Sequence, residues 1–204
     1  MASHRAYHRK RVSGKSAVLV RGELPQGGVA IVGSRTPPFE AAAFAYLLAL
    51  RLGEPVIAGL ALGIDAAAHR GALSAGVPTV AFVGYGFGCT YPPEHTALED
   101  AILTAGGAIA SVRPPGTPVS DEALVERDRL QAGHARAVLL VCTEIGGGAM
   151  HTTRFAAELG RPRYAIVPPP DSQDAPEWAG NRKCLEDGAT PLEFDVEKAI
   201  AALS

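Results

Sequence analysis

The sequence predicts an α/β fold, with one doubly wound, mostly parallel sheet and helices on both faces. Strand-sized apolar runs recur along the chain, and a helical stretch separates each run from the next. Residues 137–141 are apolar at every position, which is typical of a parallel strand buried on both faces. Together these observations indicate an extended Rossmann-like domain.

The individual elements follow from the apolar runs and from the glycines that end helices. We expect strands at residues 18–20, 29–32, 56–58, 79–83, 108–111, 137–141 and 164–167. We expect helices at residues 39–52, 65–75, 93–105, 120–132, 150–159 and 181–187. Gly53, Gly76, Gly106 and Gly160 stand where four of these helices should end.

Composition indicates one folded domain. The chain has 204 residues, of which 47% are hydrophobic and 20% charged, and this excludes disorder for most of its length. We therefore expect a single domain over residues 17–204. Residues 1–16 are basic and without periodicity, and we interpret them either as a flexible arm that touches phosphates or as a solvated terminus.

The charge distribution restricts how the protein can meet a polyanion. Residues 1–16 contain five of the 19 Lys and Arg residues and no acid, so the remainder has 14 basic against 21 acidic residues, a formal charge of −7. A body of this charge cannot bind nucleic acid over its whole surface. Any such site must be a local cluster of arginines and backbone N–H groups.

Several other classes of protein are disfavoured. No apolar segment is long enough for a membrane span and no secretory segment is evident, so we expect a cytoplasmic protein without membrane contact. Three widely spaced cysteines support neither a disulfide framework nor a metal clamp, and we expect no metal and no cofactor. No P-loop is present, and the GxGxG at residues 84–88 lacks the dinucleotide-binding spacing.

Glycine-rich turns lie at the expected carboxyl ends of four strands, where open α/β sheets bind ligands. Such turns can surround an anion with N–H donors, or they can simply be tight turns. The turns contain Gly33, Ser34 and Arg35; Gly59 and Gly63; Gly84, Gly86 and Gly88; and Gly146, Gly147 and Gly148. Arg35 is the strongest single candidate because it adds a guanidinium suited to phosphate, the alternative being a surface arginine paired with an acid.

Other candidate residues have both a functional and a structural interpretation. Asp65 and His69 could share a helix face as an acid and a general base, but we expect Asp65 to cap its helix and His69 to be structural. Arg127 and Arg129 lie in a predicted helix-start region, where the structural interpretation is a solvated charged turn. Gly148, His151 and Thr152 begin a helix and form a second candidate phosphate pocket, although a lone histidine is more often structural.

Six segments in this order resemble the DNA-processing protein A family, also called DprA or Smf. They are VAIVGSR (29–35), AGLALGIDAAAH (58–69), YPPEH (91–95), RDRLQAG (127–133), GAMHT (148–152), and GN (180–181) followed by GA (188–189). The resemblance extends over residues 18–196, nearly the whole chain.

The resemblance implies a dimeric, Rossmann-like domain that binds single-stranded DNA and delivers it to the recombinase RecA during natural transformation. No catalytic reaction is established for the family, so we expect a binding protein rather than an enzyme. Carried over by position, Gly33, Ser34 and Arg35 would hold phosphate, and Arg127 and Arg129 would line the groove. The resemblance also implies polar contacts from Gly148, Thr152 and Asn181.

This chain departs from the family pattern at four places. Leu62 replaces an arginine, Asp128 replaces an asparagine, residues 124–125 replace a Phe-Pro pair, and Val112 replaces a glutamate. The first two substitutions remove positive charge or add negative charge near the expected groove, so we expect weaker or redirected DNA binding.

Two other functions remain open. The domain could bind or hydrolyse nucleotides, as LOG phosphoribohydrolases of a related Rossmann superfamily do, although the glutamate of their PGGxGTxxE motif is out of place here. It could also sense a small nucleotide and signal to a partner protein.

Overall fold

The structure is a computed structural model that describes residues 7–12 and 16–204. Within these ranges the strands are β1 (His8–Val12), β2 (Ser16–Gly22), β3 (Val29–Val32), β4 (Val56–Ala58), β5 (Thr79–Phe82), β6 (Ala108–Ser111), β7 (Ala137–Leu140), β8 (Arg163–Ile166) and β9 (Thr190–Leu192). The helices are α1 (Phe39–Arg51), α2 (Ile64–Ser74), α3 (Thr96–Thr104), α4 (Asp121–His134), α5 (Ala149–Glu158), α6 (Ala179–Glu186) and α7 (Val196–Leu203). A 3₁₀ turn, Pro93–His95, leads directly into α3.

The strands form one twisted sheet in the order β1-β2-β6-β5-β4-β3-β7-β8-β9. Strands β3 to β9 are parallel, whereas β2 is antiparallel to both β6 and β1. The chain builds outward from β3 through β4, β5 and β6, and then returns to place β7 on the other side of β3. The direction of winding therefore reverses between β3 and β7, which is where ligands bind in open sheets of this kind.

Helices cover both faces of the sheet, as the sequence predicts. Side chains alternate along β3, so that Ala30 and Val32 pack towards α4 and α5, whereas Val29 and Ile31 pack towards α1, α2 and α7. A third apolar cluster joins α3 to β5 and β6. Because strands β3 to β7 are buried on both faces, the sequence shows continuous apolar runs rather than alternation.

The structure contains three elements that the sequence analysis missed. Helix α7 covers the sheet beside α1, and the short strand β9 extends the sheet beyond β8. Strand β1 forms a hairpin with β2 inside the segment 1–16, so the interpretation of that segment as a flexible arm differs from the structure over residues 8–12. Residues 1–6 and 13–15 of that segment lie outside the described residues.

None of the described helices combines the length and apolar character needed to cross a bilayer.

Candidate functional site

A cavity of about 380 Å³ opens at the carboxyl edge of the sheet, between the ends of β3 and β7. The turn after β3 and the turn after β7 form two of its walls, and α4 and the first turn of α5 form the others. Of the residues singled out by sequence, Gly33, Ser34, Arg35, Arg127, Gly148, His151 and Thr152 line it. The turns therefore meet where the reversal of the sheet predicts a ligand site.

The turn at residues 33–35 is held rigidly from two sides. The Ser34 N–H donates to the Cys142 carbonyl at 2.7 Å, and the Ser34 carbonyl accepts from the Ile64 N–H at 3.1 Å. A Cβ atom added to Gly33 would lie 2.5 Å from Cγ1 of Ile64, so this position has no room for a side chain. The backbone bonds fix the direction in which the next residue, Arg35, leaves the turn.

Arg35 is exposed and stands on the rim between this cavity and a second one of about 80 Å³. No carboxylate of the described residues lies within 4 Å of its guanidinium, and the residues outside the described ranges contain no Asp or Glu. An unpaired guanidinium at a cavity mouth is available to an anion. This excludes the alternative in which Arg35 is a surface arginine paired with an acid.

Gly59 and Gly63 shape the site without lining the larger cavity. A Cβ atom on Gly59 would lie 1.1 Å from Nη1 of Arg127, so the guanidinium packs directly on this glycine. Gly63 has a φ of 72°, and its Cβ would lie 2.3 Å from the Ser34 carbonyl oxygen. Gly63 thus supports the turn at residues 33–35 from behind.

A buried ionic cluster forms the floor of the cavity. Nη1 of Arg127 lies 3.8 Å from Oδ2 of Asp65, and Nε lies 3.2 Å from Oδ1 of Asp128. Nη1 also donates to Oε1 of Gln131 at 3.0 Å, and no more than 7% of Arg127, Asp65 or Asp128 is exposed. The charge of Arg127 is therefore balanced by partners inside the protein, although the residue lines the cavity.

Burial raises the pKa of both Asp65 and Asp128, and the charge of Arg127 opposes that shift. Asp65 was expected to cap its own helix, and that expectation is wrong. Its Oδ2 instead accepts from the Gly59 N–H at 2.9 Å, so the carboxylate braces the loop before α2. Helix α2 begins at Ile64 after Gly63, without a side-chain cap.

His69 is structural, as the sequence analysis expected. Its ring is fully buried, and Nδ1 lies 2.7 Å from Oγ1 of Thr79. Because the Thr79 hydroxyl donates to the Val56 carbonyl, Nδ1 carries the proton of the neutral ring. Burial lowers the pKa of His69 to about 3, so the ring stays neutral at physiological pH.

Arg129 faces away from the cavity. Its Nη1 lies 2.8 Å from Oε2 of Glu158, and its guanidinium carbon lies 5.2 Å from the centre of the Phe155 ring. The two arginines of α4 therefore have different environments, because residues two apart on a helix point in nearly opposite directions. The structure does not bring Arg129 to the other candidate residues.

The turn after β7 leads into the first turn of α5, whose N-terminus meets the cavity at Gly148. Thr152 is buried and its hydroxyl interacts with the Asp128 carboxylate, whereas His151 is half-buried. A helix N-terminus carries partial positive charge and free N–H groups, so this wall favours an anionic or polar ligand.

Asn181 lies beneath the cavity and does not line it. Its side chain accepts from the Thr143 N–H at 3.0 Å and donates to the carbonyls of Val141 and Ile166, each at 2.9 Å. The residue is fully buried and acts on the site by holding the turn that starts at Thr143.

The lining residues that sequence reasoning missed include Gln131 and Thr143. Both are fully buried, and neither Nε2 of Gln131 nor Oγ1 of Thr143 has a hydrogen-bond partner among the residues that the structure describes. Buried polar atoms without protein partners are rare, so these two atoms are available to a polar ligand. Thr143 could have been found from its position just after a strand, but nothing in the local sequence marks Gln131.

The lining carries more acidic than basic groups, and part of its rim is apolar. Asp65 and Asp128 are buried on the floor, whereas Asp121 and Glu144 are exposed, and these four carboxylates outnumber the guanidinium groups of Arg35 and Arg127. The exposed side chains of Leu62 and Tyr91 line the second cavity beside Arg35. A phosphate would therefore find its most favourable position at the rim rather than on the floor.

Comparison with known proteins identifies a family and shared folds. The sequence profile of a family described as DNA recombination-mediator protein A matches residues 12–204. Protein Smf of Synechocystis is 34% identical over 158 residues, which cover 76% of this chain and 39% of that relative. The chain thus spans less than half of the length of this relative.

Two solved structures share the fold. DNA processing protein A from Streptococcus pneumoniae matches with a TM-score of 0.80 and 28% identity, over 91% of this chain and 65% of that one. The Helicobacter pylori protein, whose structure concerns its single-stranded DNA binding mode, matches with a TM-score of 0.82 and 23% identity, over 100% of this chain and 98% of that one.

Proposed function

The chain belongs to the DNA recombination-mediator protein A family, and on that premise we propose that it binds single-stranded DNA at the carboxyl edge of its sheet. The observation that carries the proposal is Arg35, an exposed guanidinium without an acidic partner among the described residues, at the mouth of the cavity between β3 and β7. A phosphate at this position would meet the guanidinium on one side and the N-terminus of α5 on the other.

The two environments of the site suit the two parts of a nucleotide chain. Phosphates would follow the rim at Arg35, because the buried carboxylates of Asp65 and Asp128 disfavour an anion on the floor. Bases would contact the apolar rim formed by Leu62 and Tyr91, whose exposed faces suit unstacked bases. A duplex keeps its bases stacked inside, so we expect a preference for single strands.

Arg127 has a supporting role in this proposal. Since its guanidinium is held by Asp65, Asp128 and Gln131, it shapes the cavity floor and braces the loop at Gly59. Affinity would therefore depend mainly on Arg35, with fewer phosphate contacts than the number of arginines in the sequence suggests.

The test is a fluorescence anisotropy titration of a labelled 20-mer over a series of salt concentrations, with Arg35→Ala. We expect about tenfold weaker binding or more, because a hydrogen bond to a charged group contributes about 1.5–3 kcal/mol. The slope of log affinity against log salt should fall by about 0.7.

Arg51→Ala is the control, because Arg51 is also exposed but lies in the last turn of α1, at the opposite edge of the sheet, where it pairs with Glu197. It should leave both the affinity and the slope unchanged. An affinity that Arg35→Ala does not alter would refute the proposed site.

We further propose that the bound strand is presented to a RecA-type recombinase during natural transformation or DNA recombination in the cytoplasm, and that the protein acts as a homodimer. Family membership supports both statements. Sedimentation of the free protein measures the oligomeric state, and loading of a purified recombinase on pre-bound DNA measures the delivery. A monomer at working concentration, or unchanged loading, would contradict them.

A second candidate function is the binding or hydrolysis of a free nucleotide. The unpartnered polar atoms of Gln131 and Thr143 favour it, because they would suit a small polar ligand in the interior of the cavity. Incubation with nucleoside monophosphates, followed by chromatography for released base, separates the functions. A protein that only binds DNA releases none.

A further inference from the structure

Basic residues of the hairpin β1–β2 stand at the same edge of the sheet as the cavity. Since β1 is antiparallel to β2, and β2 is antiparallel to β6, β1 runs parallel to the central strands. Arg9 pairs with Leu19, which in turn pairs with Ser111, the last residue of β6. Lys10 therefore lies beyond the end of β6, towards the carboxyl edge.

Arg21 of this hairpin pairs with Glu99, but Arg9 and Lys10 have no acidic partner among the described residues. Arg9 and Lys10 are exposed, and no carboxylate of the described residues lies within 4 Å of either. Residues 1–6 and 13–15 contain no Asp or Glu that could supply one. The Lys10 ammonium donates to the Leu24 carbonyl at 2.9 Å, a bond that directs the side chain without removing its charge.

An exposed aromatic ring accompanies these charges. The Tyr7 side chain is 48% exposed, and its ring centre lies 5.6 Å from that of Phe87, which follows β5 at the carboxyl edge. The Arg21 guanidinium packs over the other ring of this pair, 5.7 Å from its centre. Tyr7 and Arg9 are two residues apart and share a face of β1, whereas Lys10 projects to the other face. An exposed ring on the same face as a free cation is suited to the stacking of a single-stranded base.

The two ends of the sheet differ strongly in charge. Residues 7–22 contain five Lys and Arg and no acid, whereas residues 168–204 contain eight Asp and Glu against three Lys and Arg. A polyanion leaving the cavity would be attracted towards β1 and repelled from β9. This charge asymmetry favours single-stranded DNA, a polyanion, as the ligand of the basic hairpin.

We propose that Tyr7, Arg9 and Lys10 form a second contact site for the same single-stranded DNA that binds at Arg35, so that the strand runs along the carboxyl edge from the cavity to β1. This inference rests on the proposed function. Five strand spacings separate β1 from β3 in the sheet order, roughly 24 Å at about 4.8 Å each. That distance corresponds to about seven stacked nucleotides of roughly 3.4 Å.

The separation of the two sites makes the contribution of β1 dependent on DNA length. A thymidine trinucleotide can occupy the cavity alone, whereas a 20-mer reaches both sites. The double variant Arg9→Gln, Lys10→Gln should bind the trinucleotide normally. For the 20-mer, its salt slope should fall by about 1.4, since each phosphate contact to a single strand contributes about 0.7.

Two further variants test the same site. Tyr7→Ala should weaken 20-mer binding at least about fivefold and leave trinucleotide binding unchanged. Arg9→Gln alone should lower the slope by about 0.7, and it removes no hydrogen bond of the described residues, so folding is preserved even if Lys10→Gln loosens the hairpin. Thermal melting checks the fold of each variant.

The control is Lys183→Gln, Lys198→Gln, which removes the same charge from exposed positions on α6 and α7. It should change neither measurement. If Arg35→Ala weakens binding of both oligonucleotides but no β1 variant affects the 20-mer, the second site is refuted and the proposed function stands. If the unaltered protein does not bind the 20-mer in a salt-dependent manner, both fail.

Discussion

The replacement Asn181→Ala distinguishes a residue that positions the site from one that contacts the ligand. The side chain makes three hydrogen bonds of 2.9–3.0 Å, to Thr143, Val141 and Ile166, and it is fully buried. At about 1 kcal/mol each, their loss should lower the free energy of unfolding by about 3 kcal/mol. Backbone groups left unpaired in the interior would raise that figure towards about 5 kcal/mol.

The measurement is urea unfolding followed by circular dichroism, together with anisotropy of a bound 20-mer. Gln26→Ala, which truncates an exposed amide, is the control and should change stability by less than about 0.5 kcal/mol. Asn181→Asp retains the acceptor for the Thr143 N–H but turns a carboxylate towards two carbonyls, so it should also be destabilising.

We expect Asn181→Ala to weaken DNA binding only indirectly, because the turn at Thr143 loses its support. Low temperature or a stabilising osmolyte should therefore restore part of the DNA affinity. A variant that unfolds like the unaltered protein but no longer binds DNA would refute this reasoning. The side chain would then be a direct ligand contact.

Two other outcomes are expected. Leu62→Arg adds a cation beside Arg35 on the rim of the second cavity. In anisotropy titrations it should tighten binding of single-stranded DNA and raise the salt slope by about 0.7. An unchanged slope would place this rim outside the DNA path. Burial lowers the pKa of His69 in the folded protein to about 3, so its contribution to stability is complete above pH 6.5 and is lost as the pH falls from 6.5 towards about 3, by about 1.4 kcal/mol per pH unit. Urea unfolding of the unaltered protein over this range should show that loss, and His69→Gln should not. Parallel pH profiles of the two proteins would contradict the prediction.

Local patterns were sufficient for most of the fold. Strands β2 to β8 and helices α1 to α6 fall at the predicted places, because buried parallel strands and glycine-terminated helices leave a strong signal over a few residues. Strand β1 left no such signal, since its sequence is basic and exposed and its pairing is through the backbone of β2. Strand β9 has three residues including Pro191, too few for a recognisable pattern.

The candidate site was predicted in position but not in detail. Glycine-rich turns at strand ends indicated the carboxyl edge, and the cavity lies there. Local sequence could not separate Arg127 from Arg129, although one is 7% exposed and the other is exposed to solvent. It also placed Asn181 among the ligand contacts, whereas the structure places it beneath the site.

The sequence alone determined the strand order along the chain, the edge at which polar turns collect and the negative charge of the body. The tertiary structure decided that the Arg35 guanidinium is free, that carboxylates hold the Arg127 guanidinium, and that the basic N-terminal strand shares an edge with the cavity. Periodicity and turn chemistry act over a few neighbouring residues, so they can be read locally. The burial and charge state of a side chain depend on segments distant in sequence, as when Asp65, Arg127 and Asp128 meet from two helices.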